Sequence, residues 1–170
     1  ITLEEAAFGC TKDVEVKDFS ETRKLNMVIP AGIENGQSVC LKGQGGTGKN
    51  YGSRGDLYID INILPHPLFR RAGLDLYYEA KVPYIRASKG GEIETPTLGA
   101  KLYFKIPPNT KDGTVYTIQG KGIPSLDGQI QGNLLITIHV QEPSAEDCYQ
   151  LAQQCDPVHH MEEAANWYQK

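Results

Sequence analysis

Apolar and polar residues trade places at every second position along much of the chain. Leu57, Ile59, Ile61 and Ile63 alternate with Tyr58, Asp60 and Asn62. A period of two describes a strand with one face buried. Leu102, Phe104 and Ile106 alternate with Tyr103 and Lys105 in the same way, and Lys12-Asp13-Val14-Glu15-Val16 is a third, shorter run. Pro30 and Pro107 close two of these runs, because proline cannot donate to a strand ladder. Asn35-Gly36 and Asp112-Gly113 are turn dipeptides that tolerate positive φ.

The runs belong to an internal repeat. At a gapless shift of 77 positions, Lys24-Leu25 falls on Lys101-Leu102 and Ile29-Pro30 on Ile106-Pro107. Gly36 falls on Gly113, Gly43 and Gly45 on Gly120 and Gly122, and Gly55 on Gly132. Leu57, Ile59, Ile61 and Ile63 meet Leu134, Ile136, Ile138 and Val140. Glycines and apolar positions matching together describe two copies of one structural unit. The starts match more weakly. Thr2-Leu3-Glu4-Glu5 is a capping-box pattern that leads to Gly9, and Pro83-Tyr84-Ile85-Arg86-Ala87 leads into Gly90-Gly91. Each copy therefore reads as a short helix followed by several antiparallel strands, with the boundary near Pro65-His66-Pro67. The expected domains are 1–64, 65–143 and a tail, 144–170.

The tail follows a helical period. Ser144-Ala145-Glu146-Asp147 is a capping signature, and Cys148, Leu151, Ala152 and Cys155 recur at helical spacing. Asp156-Pro157 stops one helix and opens another, with Val158, Met161, Ala165 and Tyr168 on one face. Such a stripe must pack on the body or on another copy of the chain.

Composition narrows the classes. With 39% apolar and 22% charged residues, the 170-residue chain is a soluble globular one of one domain or two small ones. No run approaches the roughly 18 apolar residues of a bilayer span. The opening Ile1-Thr2-Leu3-Glu4-Glu5 is no signal peptide and reads as a piece of a longer chain. The net charge of −4 lies wholly in the tail, since residues 1–143 hold 16 acids and 16 bases. No basic patch is available to neutralise phosphates, so nucleic acid is not the expected ligand. Four cysteines without a C-x-x-C pair fit a reducing compartment.

Candidate chemistry is sparse. Gly43-Gln44-Gly45-Gly46-Thr47-Gly48-Lys49 fits the phosphate-loop pattern, but Asn50 stands where a hydroxyl is needed and Tyr51-Gly52-Ser53-Arg54-Gly55 opens no helix. A glycine-rich loop between strands is the better reading. Cys148, Cys155, His159 and His160 do not have the spacing of a zinc knuckle. Cys10 lacks a local base, and His66 between two prolines reads as a turn residue. No catalytic constellation, metal or cofactor is expected.

A specific resemblance remains. Ile1-Thr2-Leu3-Glu4-Glu5-Ala6-Ala7-Phe8-Gly9, Ile29-Pro30-Ala31-Gly32-Ile33, Gly55-Asp56-Leu57-Tyr58, His66-Pro67-Leu68-Phe69-Arg70-Arg71 and Gly90-Gly91-Glu92-Ile93 occur in this order. With Pro96-Thr97-Leu98 and Gly120-Lys121-Gly122 they make residues 1–143 resemble the C-terminal substrate-binding region of DnaJ-type co-chaperones. The His-Pro-Asp signature of the J-domain is absent from this sequence. So are the cysteine repeats of the zinc finger, which in finger-containing relatives follow the strand matching Val14–Val16. The chain thus resembles the fingerless, CbpA-like class, or a relative whose finger is missing. The resemblance implies a mainly β fold of two tandem β-sandwich-like subdomains of the same topology, each with a short helix, then a helical C-terminal dimerisation tail. It implies a non-enzymatic, cytoplasmic module that holds unfolded polypeptide clients by strand addition, for transfer to a DnaK-type chaperone. The groove positions carried over are Val14 and Val16 on the edge strand and Ile59 across the sheet, with Lys12 toward an acidic partner tail. Leu151, Val158 and Met161 are the expected contacts of a homodimer. The alternative is a purely structural spacer and dimerisation module.

Overall fold

The computed structural model describes residues 1–18, 21–48 and 52–154. The first copy opens with helix α1 (Leu3–Phe8). Thr2 Oγ1 accepts from the Glu5 N–H at 3.2 Å, and Glu5 Oε2 accepts from the Thr2 N–H at 3.0 Å. This reciprocal cap satisfies two of the donors a helix start leaves open. Gly9 ends the helix at φ 77°, and a Cβ there would stand 3.0 Å from the Ile29 carbonyl oxygen. The chain turns directly into β1 (Cys10–Lys17), which pairs antiparallel with β2 (Thr22–Ile29). A second two-stranded sheet joins β3 (Ser38–Leu41) to β4 (Leu57–Asp60). Ala6 from the helix, Met27 and Ile29 from β2, Ile33, and Ile61 just beyond β4 form a buried core. Each such aliphatic side chain contributes roughly 1.5–3 kcal/mol on burial.

The second copy is preceded by a hairpin of β5 (Phe69–Ala72) and β6 (Asp75–Pro83). Helix α2 (Tyr84–Lys89) follows and ends at Gly90, φ 73°, where a Cβ would stand 2.9 Å from the Ile106 carbonyl oxygen. Then come β7 (Gly91–Pro96) with β8 (Lys101–Ile106), and β9 (Val115–Ile118) with β10 (Leu134–Gln141). The larger sheet has the order β5-β6-β10-β9. The mainly β architecture with short helices is the one the sequence leads to.

Hydrogen bonds repeat with the sequence. The Gly36 N–H donates to the Ile61 carbonyl at 2.7 Å, and Gly113 to Ile138 at 2.8 Å. Asn35 Oδ1 accepts from the Ile63 N–H at 2.7 Å, and Asp112 Oδ1 from Val140 at 2.8 Å. The helices and first strands do not share that register. Gly9 corresponds to Gly90, a shift of 81, because β1 and β2 have 8 residues each whereas β7 and β8 have 6. The first hairpin is thus longer by two residues per strand, which is why a gapless comparison weakens at the copy starts.

By packing, the chain divides into two compact units. One is Ile1–Tyr78 with Thr97–Ala100 and Thr117–Ile136; the other is Glu79–Pro96 with Lys101–Tyr116 and the residues from Thr137 onward. Within the first unit, the Ile123 N–H donates to the Leu74 carbonyl at 2.7 Å. Gly32 also sits there, so close under residues 124–126 that a Cβ would lie 2.2 Å from the Pro124 oxygen. The packing units and the sequence copies are different partitions of the chain. Within the second unit, helix α3 (Ala145–Gln154) begins where the Ser144 signature places it. Val158, Met161 and the rest of the expected second tail helix lie outside the described residues, as does the side chain of Leu151.

Candidate functional site

On β1 the polar alternation resolves into two faces. Cys10, Lys12, Val14 and Val16 are half-buried, while Thr11, Asp13, Glu15 and Lys17 are exposed. Their partners across β2 are Ile29, Met27, Leu25 and Arg23. Burial falls along this inner face: Ile29 and Met27 are buried, and Leu25 and Arg23 are half-buried. On the facing sheet, Leu57 and Ile59 are half-buried while Ile61 is buried. Val14 and Ile59 pack on the same core cluster, so two of the expected groove residues are brought together. Val16, Leu25 and Leu57 continue the apolar strip beyond that cluster, toward the hairpin tip.

On its other edge β1 pairs with no described strand. Its sheet contains β2 as its only other described strand. The outward-facing N–H and C=O groups of such a strand can pair with an added chain.

Lys12 points along the inner face, and its Nζ donates to Glu5 Oε1 at 2.5 Å. The pair holds the Glu5 carboxyl below its ordinary value, first through the Lys12 hydrogen bond and then through the Thr2 backbone N–H. It raises Lys12 in turn. Lys12 therefore serves the cap of α1, a use its position in the strand did not announce.

Arg23 lies opposite Val16. Its Nη1 donates to Gln44 Oε1 at 3.3 Å, and its Nη2 to the carbonyls of Gln44 and Gly45 at 3.2 and 3.4 Å. One side chain thus ties the β1–β2 sheet to the turn that follows β3. Its Nε is buried without an acceptor among the described residues. The sequence carried one sign of this: Arg23 falls in the inward phase of Arg23, Leu25, Met27 and Ile29.

The glycine-rich turn is structural. The Gly43 N–H donates to Asp56 Oδ1 at 2.8 Å, and the Gly45 N–H to the Gly55 carbonyl at 2.7 Å. These amides are committed to the protein and not free to cradle phosphate. The same bonds recur as Gly120 to Asn133 at 3.4 Å and Gly122 to Gly132 at 2.9 Å. Lys49 lies outside the described residues.

Two polar clips were not foreseen. His66 Nδ1 accepts from the Leu68 and Phe69 N–H groups at 3.0 and 3.1 Å. That puts the ring proton on Nε2, which donates to Glu4 Oε1 at 3.0 Å. His66 is a turn residue, as read, but also a tether to α1, 62 residues away in sequence. Arg71 donates to the carbonyls of Ile33, Gly32 and Gly73, and its partial burial lowers its pKa. No local sequence signal announces either long-range bond.

Among the described residues, no group of three His, Cys, Asp or Glu side chains could hold a metal ion. No helix among them is long and apolar enough to cross a membrane.

Comparison with known proteins follows the same lines. The family model described as DnaJ C terminal domain matches residues 1–143. The chain is 44% identical over 121 residues to the chaperone protein DnaJ of Caldicellulosiruptor bescii, covering 71% of this chain and 31% of that protein. It is 43% identical over 121 residues to the chaperone protein DnaJ of Halalkalibacterium halodurans, covering 71% and 33%. It is 42% identical over 125 residues to that of Clostridioides difficile, covering 72% and 33%. The chain spans about a third of the length of these curated relatives.

Proposed function

The chain belongs to the DnaJ C-terminal domain family, and from that premise we propose that it is a non-enzymatic module that holds unfolded or partly folded polypeptides. The holding site is the first copy, residues 1–64. An extended client segment adds to the open edge of β1 and lays side chains against Val14, Val16 and Ile59. The carrying observation is the eight-residue β1, which has a single described neighbour and an inner face left half-buried toward its tip. Backbone pairing supplies affinity that tolerates many sequences, and the aliphatic strip selects apolar side chains.

The magnitudes suit a holder. Two or three aliphatic side chains contribute roughly 1.5–3 kcal/mol each on burial. Association costs about 4–15 kcal/mol, so one groove binds weakly and releases readily. Two grooves in a homodimer gain through effective concentration. In this reading residues 65–143 form the second subdomain and residues 144–170 join the copies, through Leu151, Val158 and Met161. The parent protein passes clients to a DnaK-type chaperone in the cytoplasm. Sedimentation of a chain ending at Pro143 tests the tail: a halved mass is expected, and an unchanged mass contradicts it.

The site is tested by titrating the isotopically labelled chain with an apolar peptide. Shifts are expected at residues 12–16 and 57–61. Shifts confined to the second copy contradict the reading.

A further inference from the structure

We propose that Arg23 is a positioning residue, a strut that holds the client groove of the first copy open; this rests on the groove reading above. Three observations carry it. First, Arg23 and its cross-strand partner Val16 lie in the part of the strand ladder by which the first hairpin is longer than the second. The aligned positions there, Thr97 and Ala100, form the turn, with the Thr97 N–H donating to the Ala100 carbonyl at 2.7 Å. Second, the guanidinium links β2 of one sheet to the turn that follows β3 of the other. It reaches three acceptors on Gln44 and Gly45 next to Leu41, the cross-strand partner of Leu57. The half-buried Val16, Leu25 and Leu57 lie on this side of the core. Third, the strut is costly to keep. Its Nε is buried without an acceptor among the described residues. An unsatisfied buried donor subtracts from stability, so the side chain is poorly suited to a purely stabilising role. Where the second copy lacks the arginine, the β7 side of the inner face is buried, with Ile93 7% and Thr95 0% exposed, while Leu102 and Phe104 on β8 stay half-buried.

In this account the five-donor fork of arginine fixes the spacing between the sheets. Without it the sheets close over Val16 and Leu57, and a client must reopen them before it binds. Pre-organisation is lost and affinity falls.

The test compares the full chain with Arg23→Ala, Gln44→Ala and Val16→Asp variants, using the same apolar peptide and a soluble paramagnetic probe of methyl exposure. Arg23→Ala is expected to stay folded and to weaken binding about tenfold. The Val16 and Leu57 methyls lose their probe-induced relaxation, a change a merely stabilising contact would not produce. Gln44→Ala, which removes one of the three acceptors, weakens binding about two- to threefold. A folded Arg23→Ala chain with unchanged affinity and unchanged methyl exposure overturns the strut. If Arg23→Ala does not fold, Gln44→Ala decides, and unchanged affinity there overturns it. Val16→Asp separates the two levels. If it abolishes binding while Arg23→Ala does not affect it, the groove stands and the strut fails; if Val16→Asp also binds normally, the groove reading itself fails.

Discussion

The hairpins β1–β2 and β7–β8 begin alike and finish differently. Each follows a short helix and a glycine that lets the chain turn close against the end of the hairpin's second strand. The first then runs two residue pairs further and leaves Lys12, Val14 and Val16 half-buried. The second stops at Pro96 with Ile93 and Thr95 buried. One duplicated unit has produced a half-buried inner face on β1 and a closed one on β7, while Leu102 and Phe104 on β8 stay half-buried. The copies differ in hairpin length, in a few inward residues and in sheet context, since β10 lies inside a four-stranded sheet and β4 in a two-stranded one; the glycines and core isoleucines are shared. A half-buried apolar face beside a strand with one described neighbour is a place where another chain can lie.

The largest expected effect comes from spoiling the open face. Val16→Asp puts a carboxylate where a client's aliphatic side chain would pack, and lowers affinity for an apolar peptide more than about tenfold. Because Val16 is half-buried, the fold persists, with a stability change of about 1 kcal/mol. Peptide titration and thermal unfolding of the same variant check both halves. A Val16→Asp chain that still suppresses client aggregation as well as the parent sequence would favour the structural-spacer alternative.

A middle-sized effect comes from the closed face. Thr95 is fully buried and its hydroxyl has no hydrogen-bond partner among the described residues. Val14 occupies the corresponding position of the first copy. Thr95→Val removes the unsatisfied group at nearly constant shape, and is expected to stabilise the chain by about 1 kcal/mol. Affinity for client peptide does not change. Thermal unfolding beside peptide titration reads this, and a loss of stability contradicts the closed-face account.

The smallest effect concerns Lys12, whose counterpart in the second copy is Ile93. The Glu5 carboxyl is held below its ordinary value of 4.5 by Lys12 and the Thr2 N–H. A lowered carboxylate contributes stability that is present above the unfolded value and lost as pH falls through the folded one. The contribution of this half-buried pair is therefore present at neutral pH and disappears below about pH 4.5. In Lys12→Met, a carboxyl-detected titration should show Glu5 moving back toward 4.5. No movement would mean that the pair does not act as described.

These comparisons also mark what was legible in the sequence. The strands of both copies could be read because side-chain alternation is local, and the core isoleucines Ile29, Ile61, Ile106 and Ile138 sit at matching positions. The glycine turns could be read because they recur. The four-residue difference in the first hairpin was hidden, since an insertion at a hairpin tip changes the shift from 81 to 77 partway through the unit. The resemblance names Val14 and Ile59, and both pack against one core cluster. Arg23 escaped notice because polar side chains in an alternating run are read as solvent-facing by default. His66 with Glu4, and Arg71 with the Gly32 and Ile33 carbonyls, join segments that only the folded chain brings together.

Strand addition makes one demand that simple hydrophobic capture does not: in an antiparallel strand, every second residue turns its N–H and C=O toward the free edge. Amide hydrogen exchange of β1, measured with and without a saturating apolar peptide, tests this directly. Slowing of alternate amides within Cys10–Lys17, with β7 unaffected, is the predicted result. Unchanged exchange along β1 while the peptide is bound would contradict the account.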